Sequence, residues 1–211
     1  MSDGEEGGKK YMFVTENGEE KNTSRNQTGQ ATVYYPNNDI YEGYFQNGYR
    51  DGRGIYRYAA NGDKYEGEWK MNFRHGIGTM AYQGKGVYQG YWENARRHGE
   101  GMFTYPNGDV YSGWWRFGEK EGTGSYLNKS TGMKLYGQWQ EGEMKTGRWI
   151  YPNGTYFEGN FTQNKPQGEG TWYFKNGNVM NGTYEQKKKE AGEDEEEPPA
   201  EEEEGGESQV P

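Results

Sequence analysis

The sequence predicts an all-β fold: an elongated, single-layer antiparallel meander of β-hairpins, with a disordered acidic tail behind it. Three observations predict it. A Tyr-x-Gly-x-aromatic phrase recurs in steps of 22 to 24 residues, with its glycine at Gly43, Gly67, Gly90, Gly113, Gly137, Gly159 and Gly182. A second glycine motif, Gly-x-Gly, follows most of these phrases. Asn-Gly dipeptides then separate one unit from the next. A fixed period of this size marks an array in which each unit packs only on its neighbours.

Each element follows from one unit. Tyr65-Glu66-Gly67-Glu68-Trp69 alternates ring, charge, glycine, charge, ring, the period-two signature of a strand with one packed face. A polar turn is expected over Met71 to His75, and a return strand over Gly76 to Tyr82. The next turn is written most fully as Tyr105-Pro106-Asn107-Gly108 and Tyr151-Pro152-Asn153-Gly154, with Asn61-Gly62 and Asn176-Gly177 in the same slot. Asn-Gly between apolar alternations signals a hairpin whose two turn positions tolerate positive φ. Glycines that open the return strands, such as Gly52 and Gly54 or Gly76 and Gly78, leave room for a ring to lie across the backbone. Two strands per unit advance the array by ~10 Å, so seven units form a ribbon of about 65–70 Å.

Composition agrees. Leu, Ile, Val and Phe together make up under a tenth of the chain, a level usually associated with disorder. Aromatics at 17% and 36 glycines compensate, because each buried ring removes roughly 150–250 Å² from water. Residues 1–9 are expected to be disordered, 10–40 to form a degenerate leading cap, 41–184 to form the array, and 185–211 to be an acidic disordered tail. From Glu185 onward twelve acids face three lysines, a net of −9 that equals the charge of the whole chain. The array is therefore neutral, which counts against broad electrostatic binding to nucleic acid. With no cysteine there is no disulfide framework or thiolate metal site. The acidic start has no apolar stretch, so no secretory leader is expected, and a cytosolic or cytoskeletal chain is.

No enzyme chemistry is expected. His75 and His98 sit at equivalent positions one unit apart, so their nitrogens lie ~10 Å from each other, too far for one zinc. The Gly-x-Gly pairs precede strands and lack the helix N-terminus that binds phosphate. No catalytic residue, cofactor or metal is assigned.

Two surface features have both a plain reading and a functional one. Arg50, Arg74, Arg97 and Lys120 stand two residues before the first return glycine, a basic edge opposite Asp39, Asp63 and Asp109. Such charges are either ordinary turn residues or a dock for an acidic partner or anionic lipid. In each first strand the residue after the glycine points away from the packed face. It is Glu68, Gln138, Asn160 or Thr183 in some units, but Tyr44, Tyr91 and Trp114 in others. Exposed rings there are either by-products of a one-layer sheet or anchors for a partner.

The phrases Tyr65-Glu66-Gly67-Glu68-Trp69, Arg74-His75-Gly76-Ile77-Gly78 and Tyr105-Pro106-Asn107-Gly108 resemble the MORN repeat (membrane occupation and recognition nexus), over roughly residues 8–184. The segment from Gly124 to Gly137, with its non-standard turn, and the glutamate-rich tail are similar to the MORN proteins of the radial spoke head in motile cilia and flagella. That resemblance implies a structural scaffold subunit in the axoneme, held by other spoke head proteins, by a second MORN protein or by its own dimer, and facing the central-pair projections. The alternative is a peripheral membrane adaptor that holds anionic phospholipids on its basic edge. The neutral array, the acidic tail and the lack of a lipidation motif count against it.

Overall fold

The structure is a computed structural model that describes residues 10–185. Residues 1–9 and 186–211, where the sequence leads one to expect disorder, lie outside the described residues. Sixteen strands follow one another: β1 (Met12–Thr15), β2 (Glu20–Lys21), β3 (Gly29–Tyr34), β4 (Ile40–Gln46), β5 (Tyr49–Arg57), β6 (Lys64–Lys70), β7 (Phe73–Tyr82) and β8 (Gly86–Glu93). They continue with β9 (Arg96–Thr104), β10 (Val110–Arg116), β11 (Glu119–Leu127), β12 (Lys134–Gln140), β13 (Glu143–Ile150), β14 (Tyr156–Thr162), β15 (Lys165–Tyr173) and β16 (Val179–Tyr184). All sixteen belong to one antiparallel sheet, in sequence order from β16 back to β3, with β1 and then β2 at the far edge. The expected meander is the observed fold.

Register explains the repeat. The phrase glycine always pairs with a return-strand glycine: Gly43 with Gly54, Gly67 with Gly78, Gly90 with Gly101, Gly113 with Gly124. Each return glycine then pairs with the next phrase glycine, so a single column of glycines crosses the sheet from Gly43 to Gly182. A tyrosine lies flat over each of the first four pairs. A Cβ on Gly78 would sit 2.3 Å from the Tyr65 hydroxyl, and one on Gly67 only 2.4 Å from the Gly78 Cα. The ring then donates its hydroxyl to a backbone carbonyl three residues on: Tyr65 to Glu68 at 2.9 Å, Tyr88 to Tyr91 at 2.9 Å, Tyr111 to Trp114 at 3.0 Å. The same tyrosines make edge-to-face contacts with their own aromatic and with the next unit's tryptophan. Tyr65 meets Trp69 at 5.2 Å and Trp92 at 5.4 Å. The core is this chain of rings on one face, in which Tyr41, Tyr65, Tyr88 and Tyr111 are fully buried.

The turns differ from expectation in two ways. The polar turn expected over Met71 to His75 is only Met71-Asn72, and β7 already begins at Phe73. Both turn residues have positive φ, as do Asn94-Ala95 and Phe117-Gly118, so the tight turns with two left-handed residues lie here. At the Tyr-Pro-Asn-Gly turns Gly108 has positive φ and Asn107 does not. There Gly108 N–H donates to the Tyr105 carbonyl at 2.9 Å, and Asp109 N–H donates to Asn107 Oδ1 at 3.0 Å. The lengthened return strand absorbs its extra residues in a bulge beside the glycine column, between Gly67 and Glu68 in the second unit. The bulge separates the roles of the two return glycines. Gly76 takes a φ of 58° inside the bulge, whereas Gly78 is the one beneath the ring. In the fifth unit Lys145 replaces the bulge glycine, and the register shift there is one residue shorter. With Leu135 in place of tyrosine, the Met144 methyl covers Gly137 and Gly147 instead.

Replacing Tyr65 by Phe keeps the ring over Gly67 and Gly78 but removes its hydroxyl bond. Chemical denaturation should show a loss of about 0.5–1.5 kcal/mol, and an unchanged midpoint would show that the hydroxyl contributes nothing to stability.

Candidate interaction surface

The clamp that buries each tyrosine also fixes what stands on the opposite face. The carbonyl it grips belongs to the residue after the phrase glycine, and that residue's side chain faces outward. In the third and fourth units these residues are Tyr91, 48% exposed, and Trp114, 50% exposed. Tyr44, in the first unit, is half-buried. Ile77, directly opposite Tyr91 in the register, is 57% exposed. Met102 and Tyr136 are exposed on the same face, one on β9 and one on β12. The result is an apolar patch spread over β7 to β12, while Arg53 and Glu68 intervene between it and Tyr44. Glu100 pairs with Trp114 and sets an acid inside the patch.

Sequence reasoning found Tyr91 and Trp114 but missed Ile77, Met102 and Tyr136. Their signal was present, since each has outward parity next to a column glycine. They lie outside the slot after the phrase glycine: Ile77 and Met102 are on return strands, and Tyr136 precedes Gly137.

The basic residues lie beside the expected edge but are turned onto the ring face. Because the return strands begin early, Arg50, Arg74, Arg97 and Lys120 lie in strands, opposite Phe45, Trp69, Trp92 and Trp115 on the ring face. Their charges project over the next unit's indole: Arg50 4.5 Å from the Trp69 ring centroid, Arg74 4.8 Å from Trp92, Arg97 4.5 Å from Trp115, Lys120 5.7 Å from Trp139. Arg50 also donates to the Asn72 carbonyl at 3.1 Å, and Arg74 to the Ala95 carbonyl at 2.9 Å. These two arginines therefore bond one hairpin to the next hairpin's turn. His75 and His98 likewise sit in strands rather than turns; His98 Nε2 lies 3.3 Å from the Glu93 carboxylate.

The acids of the other edge do similar work. Asp39 and Asp109 are buried. Asp109 accepts from the Tyr126 hydroxyl at 2.6 Å and the Lys129 N–H at 2.7 Å, tying its turn to the following one. Asp39 does the same with Tyr56 at 2.8 Å and Ala59 N–H at 2.7 Å. Among the described residues, no three His, Asp or Glu side chains gather as a metal site. No helix there is long and apolar enough to cross a membrane.

Fold and surface define a class: a β-hairpin repeat array that buries rings on one face and offers side chains on the other. The MORN repeat family matches residues 41–62, 65–87, 88–110, 111–130 and 157–179, more than half of the sequence, and the chain belongs to that family. The unmatched stretch contains the fifth unit, whose phrase tyrosine and bulge glycine are replaced. MORN repeats suggest a protein-interaction or membrane-binding module. No curated protein matches the chain. Among solved structures it is similar to the Drosophila melanogaster SAS-4 TCP domain in complex with a proline-rich motif of Ana2, at 19% identity and a TM-score of 0.48, covering 74% of this chain and 85% of that one. A crystal structure of the TCP10c domain of Drosophila melanogaster Sas-4 is similar at 18% identity and a TM-score of 0.45, covering 74% and 93%. Likeness at that level says nothing of function.

Burial raises the pKa of Tyr41, Tyr65 and Tyr88, against the opposing pull of Arg50, Arg74 and Arg97. Burial also raises Tyr56 and Tyr126, and the Asp39 and Asp109 carboxylates push them further. An unfolded tyrosine ionises near pH 10. Each ring's contribution is thus fully present below about pH 10 and is lost as pH rises toward its folded pKa. Stability should fall steeply above pH 10, with tyrosinate absorbance rising together with loss of the β-sheet signal. Ionisation of all the rings near pH 10 with the sheet intact would contradict this.

Proposed function

We propose that this chain is a non-enzymatic structural scaffold of the radial spoke head in motile cilia and flagella, a cytoskeletal component of the axoneme. It holds other spoke proteins on its outer face and looks toward the central-pair projections. The observation that carries the scaffold reading is the half-exposed pair Tyr91 and Trp114. Each is held on a backbone fixed from below by a buried tyrosine, with Ile77 alongside. Rigid, exposed aromatic residues lose little entropy on docking and are frequent binding hot spots. The placement in the spoke head rests on the segment from Gly124 to Gly137 and on the glutamate-rich tail.

The non-enzymatic reading is supported by where the ionisable groups are engaged. Arginines lie over rings, Asp39 and Asp109 bond turns, and Glu42 and Glu66 sit in ion pairs with Arg57 and Lys64. The membrane alternative depends on Arg50, Arg74, Arg97 and Lys120, whose charges are directed at indole rings. Salt-sensitive flotation with anionic vesicles would favour that alternative.

Affinity capture from motile axonemes should recover spoke head proteins with the full chain. The double variant Tyr91→Ala/Trp114→Ala should lose at least about tenfold of that capture while keeping its melting temperature. Recovery without spoke head proteins, or undiminished recovery by the variant, would overturn the proposal.

A further inference from the structure

The glycine column ends at a glycine for which the folded chain supplies no reason. Within each unit the paired glycines approach so closely that a Cβ on Gly67 or Gly90 would meet the opposite Cα at 2.4 or 2.5 Å. These are the narrow, non-hydrogen-bonded pairs of an antiparallel ladder, and they alternate with wider pairs between units. Gly182, on β16, pairs with Gly170 across a unit boundary, the wider kind. Its narrow partner would come from a strand on the other side of β16, and among the described residues no strand lies there. A Cβ on Gly182 would meet nothing within 4 Å, and its φ is outside the left-handed region.

The two edges of the sheet are built differently. β2 is two residues long and both are charged, Glu20 and Lys21. Short, charged edges resist pairing with other chains. β16 is six residues long, Val179-Met180-Asn181-Gly182-Thr183-Tyr184, with no charge and no proline. Val179 and Met180 are 57% and 52% exposed.

Reversed about Gly182, β16 matches itself. Gly182 falls opposite a second Gly182, Met180 opposite Tyr184, and Asn181 opposite Thr183. Pairs of the same kind already occur in this sheet: Gly67 with Gly78, Met80 with Tyr65, and Asn181 with Thr171, whose hydroxyl lies 2.9 Å from Asn181 Oδ1. By the alternation of antiparallel ladders, the N–H and C=O groups of Asn181 and Thr183 point away from β15, toward the newcomer.

We propose that two copies of this chain join β16 to β16 about a two-fold axis at Gly182, continuing one sheet through both molecules. The second copy supplies the narrow glycine pair that the column lacks, as well as a Met–Tyr contact on each side of the axis. This interface lies on the sheet's edge and does not depend on the patch around Trp114.

Sedimentation equilibrium of the full chain over a dilution series tests the proposal. The chain should show twice its own mass. Gly182→Val should show the single mass over the same range with an unchanged circular dichroism spectrum, because a side chain there meets nothing in one copy but collides across the axis. Thr183→Pro, which removes only an edge N–H, should also be monomeric and is a second route to the same reading. Trp114→Ala should remain dimeric, which separates this claim from the scaffold proposal. A full chain that is monomeric throughout, with its own C-terminal residues covering the edge or not, overturns the proposal. So does a dimer equally tight in both β16 variants.

Discussion

The close approach of two glycines beneath a tyrosine ring is the contact on which the other features of this sheet rest. With no Cβ on either strand, the ring can lie on the backbone itself, and its hydroxyl reaches a carbonyl on the far side of the glycine. That contact sits where the two hairpin strands pair glycine with glycine, directly beside the bulge that lengthens the return strand, and it presents an edge for the next tryptophan. A chain poor in aliphatic residues thereby gains a continuous core one ring thick. Phe157 fills the same position over Gly159 and Gly170 without a hydroxyl, so ring shape sustains the packing where the hydrogen bond is absent.

Charge serves the same end. The cations that punctuate the repeat fall opposite rings because the bulge draws them out of the turn and into the strand. Over an indole, with donors directed at turn carbonyls, a guanidinium links successive units more firmly than an exposed ion pair could. Asp39 and Asp109 play the matching part on the opposite edge by accepting from the next unit's tyrosine and turn. Both edges are bonded from unit to unit, and the outer face is left to vary. Tyr91, Trp114 and Ile77 stand there about half exposed.

The phrase Tyr65-Glu66-Gly67-Glu68-Trp69 made the strand and its packed face legible, since parity and glycine placement lie within five residues, and its recurrence every 22 to 24 residues made the array legible. The outward parity of Tyr91 and Trp114 was legible for the same reason. The roles of Gly76 and Gly78 were not separable from sequence, because a bulge depends on how two strands count against each other. The same counting hid the position of Arg74, which reads as a turn residue in linear order and is buried beside Trp92 in space. Met71 and Phe117 also concealed their turns, since neither is a residue whose chemistry announces a positive φ.

The glycine–ring contact is most directly tested by a double-mutant cycle on Tyr88→Leu and Gly101→Ala. The three atoms nearest a Cβ on Gly101 all belong to the Tyr88 side chain, at 2.3 to 2.6 Å. If the ring is the reason for the glycine, alanine should cost about 1–3 kcal/mol in the parent chain and almost nothing once leucine replaces the tyrosine. Costs that add to within about 0.5 kcal/mol would show that the glycine serves the backbone alone and that the ring is not what requires it.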